Sequence, residues 1–139
     1  MLVVLDTDAL LAIADVNDAL HLRATALAKK LSTMSANVLL SPTTLAEFAM
    51  VATHHIGFQQ TKKAVDTLYT TYSLFELDIV MNNSAIEKYR RQTSKHNTLF
   101  DCYVMSICAE TQSDCIFSFD KGYTKNGFDL LEDYLKAHP

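Results

Sequence analysis

The sequence predicts an α/β domain, a parallel sheet with helices on both faces, and three observations predict it. Short apolar runs recur along the chain (Leu2–Leu5, Val38–Leu40, Ile116–Phe119), each of strand length. Longer stretches of helical period separate them, which implies βαβ units and a doubly wound sheet. The first and last of these runs end abruptly in acids, Asp6 and Asp120. Parallel sheets carry their chemistry at such strand ends.

Each element has its own signal. After Leu2–Leu5, the run Ala9-Leu10-Leu11-Ala12-Ile13 starts a short helix, and Asp18 to Leu31 is amphipathic through Leu20, Ala24, Leu27, Ala28 and Leu31. Val38–Leu40 is the second strand. Ser41-Pro42 then opens a helix, Ser as N-cap and Pro at the first helical position, where a missing N–H costs nothing. That helix ends near Gly57, and Lys62 to Tyr72 resumes the period. Leu74 to Leu77 is a candidate third strand. Ser84-Ala85-Ile86-Glu87 has the form of a capping box and is expected to open a polar helix. Leu99 to Ala109 is apolar nearly all round, hence a buried helix. Ile116–Phe119 is a fourth strand, and Leu130 to Ala137 a last short helix, with Phe128–Leu131 as an alternative edge strand.

At 139 residues the chain is sized for one domain, taken as 1–139. A net charge of -4 argues against coating nucleic acid by bulk electrostatics. Three cysteines without a C-x-x-C pair suggest neither a disulfide framework nor a zinc site, as in a protein of the reducing cytoplasm. Acids interrupt the apolar opening, so neither a signal peptide nor a membrane span is expected.

Four acids stand at element ends or on inner helix faces: Asp6, Glu47, Asp101 and Asp120. Each has an ordinary explanation. Asp6 or Asp8 suits a helix N-terminus, Thr44-x-x-Glu47 and Thr98-x-x-Asp101 fit capping boxes, and Asp120 fits a turn. Two settings weaken those explanations. Asp101 heads an apolar helix, and Ser41 already caps the helix that carries Glu47. No Lys or Arg is an obvious partner for Asp6, Glu47 or Asp101, so convergence of the four would call for a cation. Carboxylate oxygens suit Mg²⁺ or Mn²⁺, which can activate water for phosphodiester hydrolysis.

At Leu5-Asp6-Thr7-Asp8, Thr44-Leu45-Ala46-Glu47-Phe48, Phe100-Asp101-Cys102 and Ile116-Phe117-Ser118-Phe119-Asp120-Lys121-Gly122-Tyr123, the chain resembles the PIN domains, and among them the small VapC-type toxins. The resemblance runs along essentially the whole sequence. It implies a PIN-like three-layer sandwich with a parallel four- or five-stranded sheet flanked by helices. It also implies a metal-dependent endoribonuclease in which Asp6, Glu47, Asp101 and Asp120 are the catalytic, Mg²⁺- or Mn²⁺-binding set. Thr7 and Ser118 match the family's hydroxyl positions beside the first and last acids, and would orient those carboxylates. Asp8 departs from the usual Asn or Ser, adding charge to the site or capping the helix. Gly122 stands where many relatives carry another acid. The partners implied are an RNA substrate, a small antitoxin protein encoded adjacent, and a second copy in a homodimer.

Arg90, Arg91, Lys95, His96 and Asn97, with Lys88, form a basic stretch ahead of Asp101, either a phosphate-contacting rim or a solvated face. His54 and His55 point in different directions on a helix and read as surface residues. Leu10, Leu11, Ile13 and Phe48 are core residues, or line a groove for an antitoxin peptide or a second copy. Two other functions fit part of the chain. Asp6-Thr7-Asp8 also resembles the D-x-D of haloacid dehalogenase-like phosphatases, with Asp6 as nucleophile and Asp8 as general acid, and a PIN-like module without turnover would act through its partner surface alone.

Overall fold

The computed structural model describes residues 1–72 and 74–139. Three parallel strands are ordered β2-β1-β3, with β1 (Leu2–Leu5) between β2 (Asn37–Leu39) and β3 (Cys115–Phe117). Val3 pairs with Val38 on one side and Cys115 on the other, and Leu5 with Phe117. The sheet reaches further by single bridges, Leu40 to Leu74 and Ile116 to Leu130. Those bridges stand where the sequence placed its third strand and its edge strand. Neither grows longer, because Asp78 turns the chain into a helix soon after Leu74 and Leu130 leads directly into another.

Helices α1 (Thr7–Ala14), α2 (His21–Thr33), α3 (Pro42–Ile56) and α4 (Phe58–Thr71) follow the first two strands. Helices α5 (Ile79–Arg90) and α6 (Leu99–Glu110) precede β3, and α7 (Gly122–Lys125) and α8 (Leu131–Ala137) follow it. Alternation along the strands divides the core in two. Val3, Leu5, Cys115 and Phe117 pack with Leu10, Leu31, Phe48 and Leu131 on one face. Val4 and Ile116 pack with Ala85, Cys102, Val104, Met105 and Ile107 on the other. Each short strand is therefore covered on both sides, as parallel sheets require, giving the three expected layers.

The caps explain most helix starts. Ser41 Oγ accepts the Thr44 N–H at 3.1 Å with Pro42 next in line. Thr98 and Asp101 form a reciprocal capping box. The expected start at Ser84 is corrected: Asp78 caps α5 by accepting the Met81 N–H at 2.8 Å, and Ser84 lies inside the helix. Burial decides this, since Met81 and Ala85, one turn apart, both face the core. Helix α2 likewise starts at His21 rather than near Asp18, whose carboxylate accepts the Leu20 N–H at 2.7 Å in the preceding turn. The three cysteines are buried thiols, and among the described residues no helix is long and apolar enough to cross a membrane.

Candidate active site

Asp6 continues β1 by one residue, its N–H donating to the Phe117 carbonyl at 3.2 Å, and then caps α1 by accepting the Thr7 N–H at 2.8 Å. It is 5 % exposed. Burial first, and the neighbouring Asp8 second, push its carboxyl up to about 7; the Thr7 N–H and the nearby Tyr123 and Ser118 hydroxyls oppose that rise. Asp8 follows on the first turn of α1. Its Oδ2 accepts the Phe119 N–H at 2.8 Å, a bond between the loops after β1 and β3. Burial raises its carboxyl above the ordinary range too, with Asp120 adding repulsion.

Helix α3 brings in Glu47. With Ser41 acting as the cap, Glu47 has no capping duty, and its Oε2 accepts the Thr7 hydroxyl at 2.5 Å. Thr7 therefore holds Glu47 with its side chain and Asp6 with its backbone, a division that the motif alone did not reveal. Glu47 is raised chiefly by burial, with Asp101 and Asp8 as repelling neighbours.

Asp101 serves its helix and faces the site at once. Oδ2 takes the Thr98 N–H at 2.5 Å and the Thr98 hydroxyl at 3.0 Å, while Oδ1 accepts the Tyr123 hydroxyl at 3.3 Å. Asp120 is exposed at the mouth. Its Oδ1 accepts the Gly122 N–H at 2.7 Å, and its own N–H donates to Ser118 Oγ at 3.0 Å.

Sequence reasoning missed Tyr123, which is 2 % exposed and reaches both Asp6 and Asp101. Burial and those acids push its phenol far up, so it remains a hydrogen-bond donor. The available signal was its position three residues after Asp120, on the one-turn helix α7.

The structure thus gathers Asp6, Asp8, Glu47 and Asp101 around the end of β1, with Asp120 at the edge. Among the described residues no basic side chain is paired with them. Among the described residues the ion pairs are Arg23–Glu132, Arg90–Glu87 and Lys136 with Glu132 and Asp133, all away from this cluster. The donor set has the chemistry of a hard divalent cation's ligands, being carboxylates alone, and it includes Asp8 Oδ1, a buried oxygen with no hydrogen-bond partner among the described residues. The spacing is looser than the chemistry. Among the described residues no three Asp, Glu, His or Cys side chains are drawn together closely enough to hold an ion, Asp101 and Asp120 each being turned toward its own backbone.

The basic stretch divides. His96 and Asn97 line an open cleft of about 430 Å³ that also contains Asp120, Lys121 and Lys125. Arg90, Lys95 and Asn97 line a neighbouring one near Thr98, although Arg90 is paired with Glu87 at 2.8 Å. Arg91 lies in a separate cleft with Lys88 and Phe128. His54 and His55 are exposed in the last turn of α3. On the other side of α1, Leu10, Ile13 and Phe48 line an apolar cavity of about 330 Å³, together with Leu68 of α4 and Phe117; Leu11 does not line it.

The parallel sheet of this order, with acids at the end of its central strand, defines an α/β domain with a carboxylate cluster at the position where such sheets carry their sites. The chain belongs to the PIN domain family, whose model matches residues 3–129. Two solved structures share the fold. One is Mycobacterium tuberculosis VapC20, described as a Sarcin-Ricin loop cleaving toxin, with a TM-score of 0.75 and 18 % identity over 91 % of this chain and 95 % of that one. The other is VapBC-1 from nontypeable Haemophilus influenzae, with a TM-score of 0.66 and 13 % identity over 97 % and 99 %. No curated protein sequence matches the chain.

Proposed function

We propose that this PIN domain is a divalent-metal-dependent endoribonuclease, the toxin of a VapBC-type pair acting in the cytoplasm. The observation that carries the reading is the buried carboxylate of Asp6 with its half-buried neighbours Asp8 and Glu47, all raised by burial, with no basic side chain paired with them among the described residues. Asp6, Glu47, Asp101 and Asp120 would hold Mg²⁺ or Mn²⁺. Such an ion, when bound, supplies an acidified water and positive charge for a breaking phosphodiester.

The chain's own groups divide the remaining work. Thr7 fixes Glu47, Tyr123 fixes Asp101 and caps the hydrogen bonding of Asp6, and Ser118 holds the Asp120 loop. Hydrogen-bonded in this way, the acids keep their positions as RNA arrives. His96, Asn97, Lys121 and Lys125, beside Asp120, are suited to phosphate oxygens and set the strand's path, while Arg90, Arg91 and Lys95 extend the positive field further out. The apolar cavity behind α1 supports the partner reading: an antitoxin segment of apolar side chains would bury Leu10, Ile13 and Phe48. A homodimer is part of the same proposal, its test the mass in solution.

The fold favours this reading over a D-x-D phosphatase, in which Asp8 would serve as an acid rather than tie β1 to β3. Purified protein is incubated with structured RNA, including ribosomal RNA, and Mg²⁺ or Mn²⁺, beside Asp6→Asn and Asp101→Asn. Cleavage is expected to fall by roughly 100-fold or more in both variants, at least the upper end of what outer-sphere changes cost, and to stop in EDTA. Cleavage that survives EDTA and both substitutions overturns the mechanism. Absence of metal binding, with tight binding to a small partner, would leave a PIN-like module without turnover.

A further inference from the structure

The chain has a net charge of -4, yet much of its positive charge is gathered in one region. Six of its 12 lysines and arginines line three adjoining clefts around the α5–α6 loop and α7: Lys88 and Arg91 in the first, Arg90 and Lys95 in the second, Lys121 and Lys125 in the third. Among the described residues Asp120 is the one acid in their linings. Shared residues join the clefts. Gln92 lines the first and second, Ser94 and Asn97 the second and third, and Asn126 the first and third. Two amide bonds fix these walls, Asn97 donating to Gln92 Oε1 at 3.0 Å and Asn126 to the Gly122 carbonyl at 2.8 Å.

The first cleft, of about 480 Å³, has no acid in its lining among the described residues, so it stands apart from the carboxylate cluster. Its size falls within the range of about 300–1,000 Å³ usual for small-ligand sites. Neither Lys88 nor Arg91 is in any of the ion pairs among the described residues, whereas Arg90 is tied to Glu87. Half-buried Phe128 packs against the core and lines the cleft as well. Cations beside an aromatic ring match a single-stranded nucleotide, charge for the phosphate and a π surface for the base. An acidic peptide would use the cations and leave the ring without a planar partner. We propose that the cleft of Lys88, Arg91 and Phe128 is a second RNA subsite, which holds one unpaired nucleotide away from the position of cleavage, its base on Phe128 and its phosphate on Lys88 and Arg91. Asn126, shared with the cleft of Asp120, lets one strand occupy both. That the polymer is RNA rests on the ribonuclease reading.

The test is fluorescence anisotropy of a short labelled single-stranded RNA with the full chain in EDTA, where binding is read without cleavage, over a series of salt concentrations. Lys88→Gln with Arg91→Gln is expected to weaken binding about 10-fold or more. It should also lower the slope of log affinity against log salt by about 1.4, since each phosphate contact on a single strand contributes about 0.7. Lys29→Gln with Lys30→Gln removes the same charge from α2, outside all three clefts, and should leave affinity and slope as they were. Phe128→Leu keeps apolar bulk without the ring, so affinity should fall about 5-fold or more at an unchanged slope, and Phe128→Tyr should restore it. A Lys88 and Arg91 double variant that binds like the unaltered chain overturns the subsite, while metal-dependent cleavage by that variant leaves the ribonuclease reading standing. Equal losses in the Leu and Tyr variants overturn the stacking role. Polyglutamate bound through Lys88 and Arg91, with Phe128→Leu silent toward RNA, makes the cleft a peptide site and overturns the proposal. No RNA binding by the unaltered chain overturns both readings.

Discussion

Helix α1 turns Thr7 and Asp8 toward a cluster of acids and Leu10 and Ile13 toward an apolar cavity, so eight residues serve two opposite environments. At the acidic end the hydrogen-bonding geometry is well specified while the charge is unbalanced. Thr7, Tyr123, Phe119 and Gly122 each donate to a named carboxylate, yet among the described residues no basic side chain is paired with one of these acids. At the apolar end nothing is charged, and volume is what the packing leaves incomplete, about 330 Å³ between α1, α2, α3 and α4. The two faces therefore respond to different additions, positive charge on one and apolar surface on the other. A protein built this way can have its chemistry and its partner binding altered separately, although both hang on one short helix.

Phe48→Ala strikes the apolar side hardest. Phe48 is fully buried and lines the cavity, so its truncation enlarges existing space and should cost about 3–5 kcal/mol in urea unfolding. Mn²⁺ affinity per folded molecule should be unchanged, and a parallel loss would show that the two faces are not separable.

The pH dependence of stability is the next largest effect and belongs to the acidic side. In the metal-free protein Asp6 holds its proton up to about 7 against an ordinary 3.8, and Asp8 and Glu47 are shifted the same way. The folded state thus binds more protons than the unfolded chain between those values. The contribution of these acids to stability is fully present below about pH 4 and is lost as pH rises through about 7. Melting temperature in EDTA should fall across that window, and excess Mn²⁺ should restore it at the upper end; a melting temperature that rises with pH would contradict the burial of Asp6. Phe48→Ala should lower the whole curve without changing its slope.

Smallest in stability is Tyr123→Phe, which deletes the donor to Asp101 while filling the same space. It should cost about 1 kcal/mol and weaken Mn²⁺ binding or turnover about 10-fold. An unaltered Mn²⁺ titration would reduce Tyr123 to packing.

The legible parts of the fold were those fixed by local chemistry. Ser41-Pro42 and Thr98-x-x-Asp101 cap helices as their sequences indicate, and the apolar runs at residues 2–5 and 116–119 mark the strands Leu2–Leu5 and Cys115–Phe117, the second beginning one residue earlier and ending two residues sooner than its apolar run. The start of α5 was misread because Ser84 and Glu87 satisfy a local pattern that the burial of Met81 and Ala85 overrides. Asp6, Glu47, Asp101 and Asp120 could be singled out as polar groups at element ends, but their partners could not. The bond from Thr7 to Glu47 spans forty residues and that from Phe119 to Asp8 more than a hundred. Tyr123 escaped notice for the same reason, since its value to the site lies in Asp6 and Asp101, far away in sequence.

The placement of β1 in the middle of the sheet has a consequence for the order in which the domain is made. Residues 2–5 emerge early from the ribosome, yet one of their two neighbours, residues 115–117, is translated near the end of the domain, as is Asp114, whose carboxylate accepts the Leu2 N–H at 2.7 Å. Until then Asp6 has no Phe117 carbonyl to dock on, and Asp8 has no Phe119. A nascent chain thus carries its first acids without a site to put them in. Assembly of the acidic cluster waits on long-range pairing that forms late and slowly, so a partly translated chain lacks the arrangement on which the proposed activity depends.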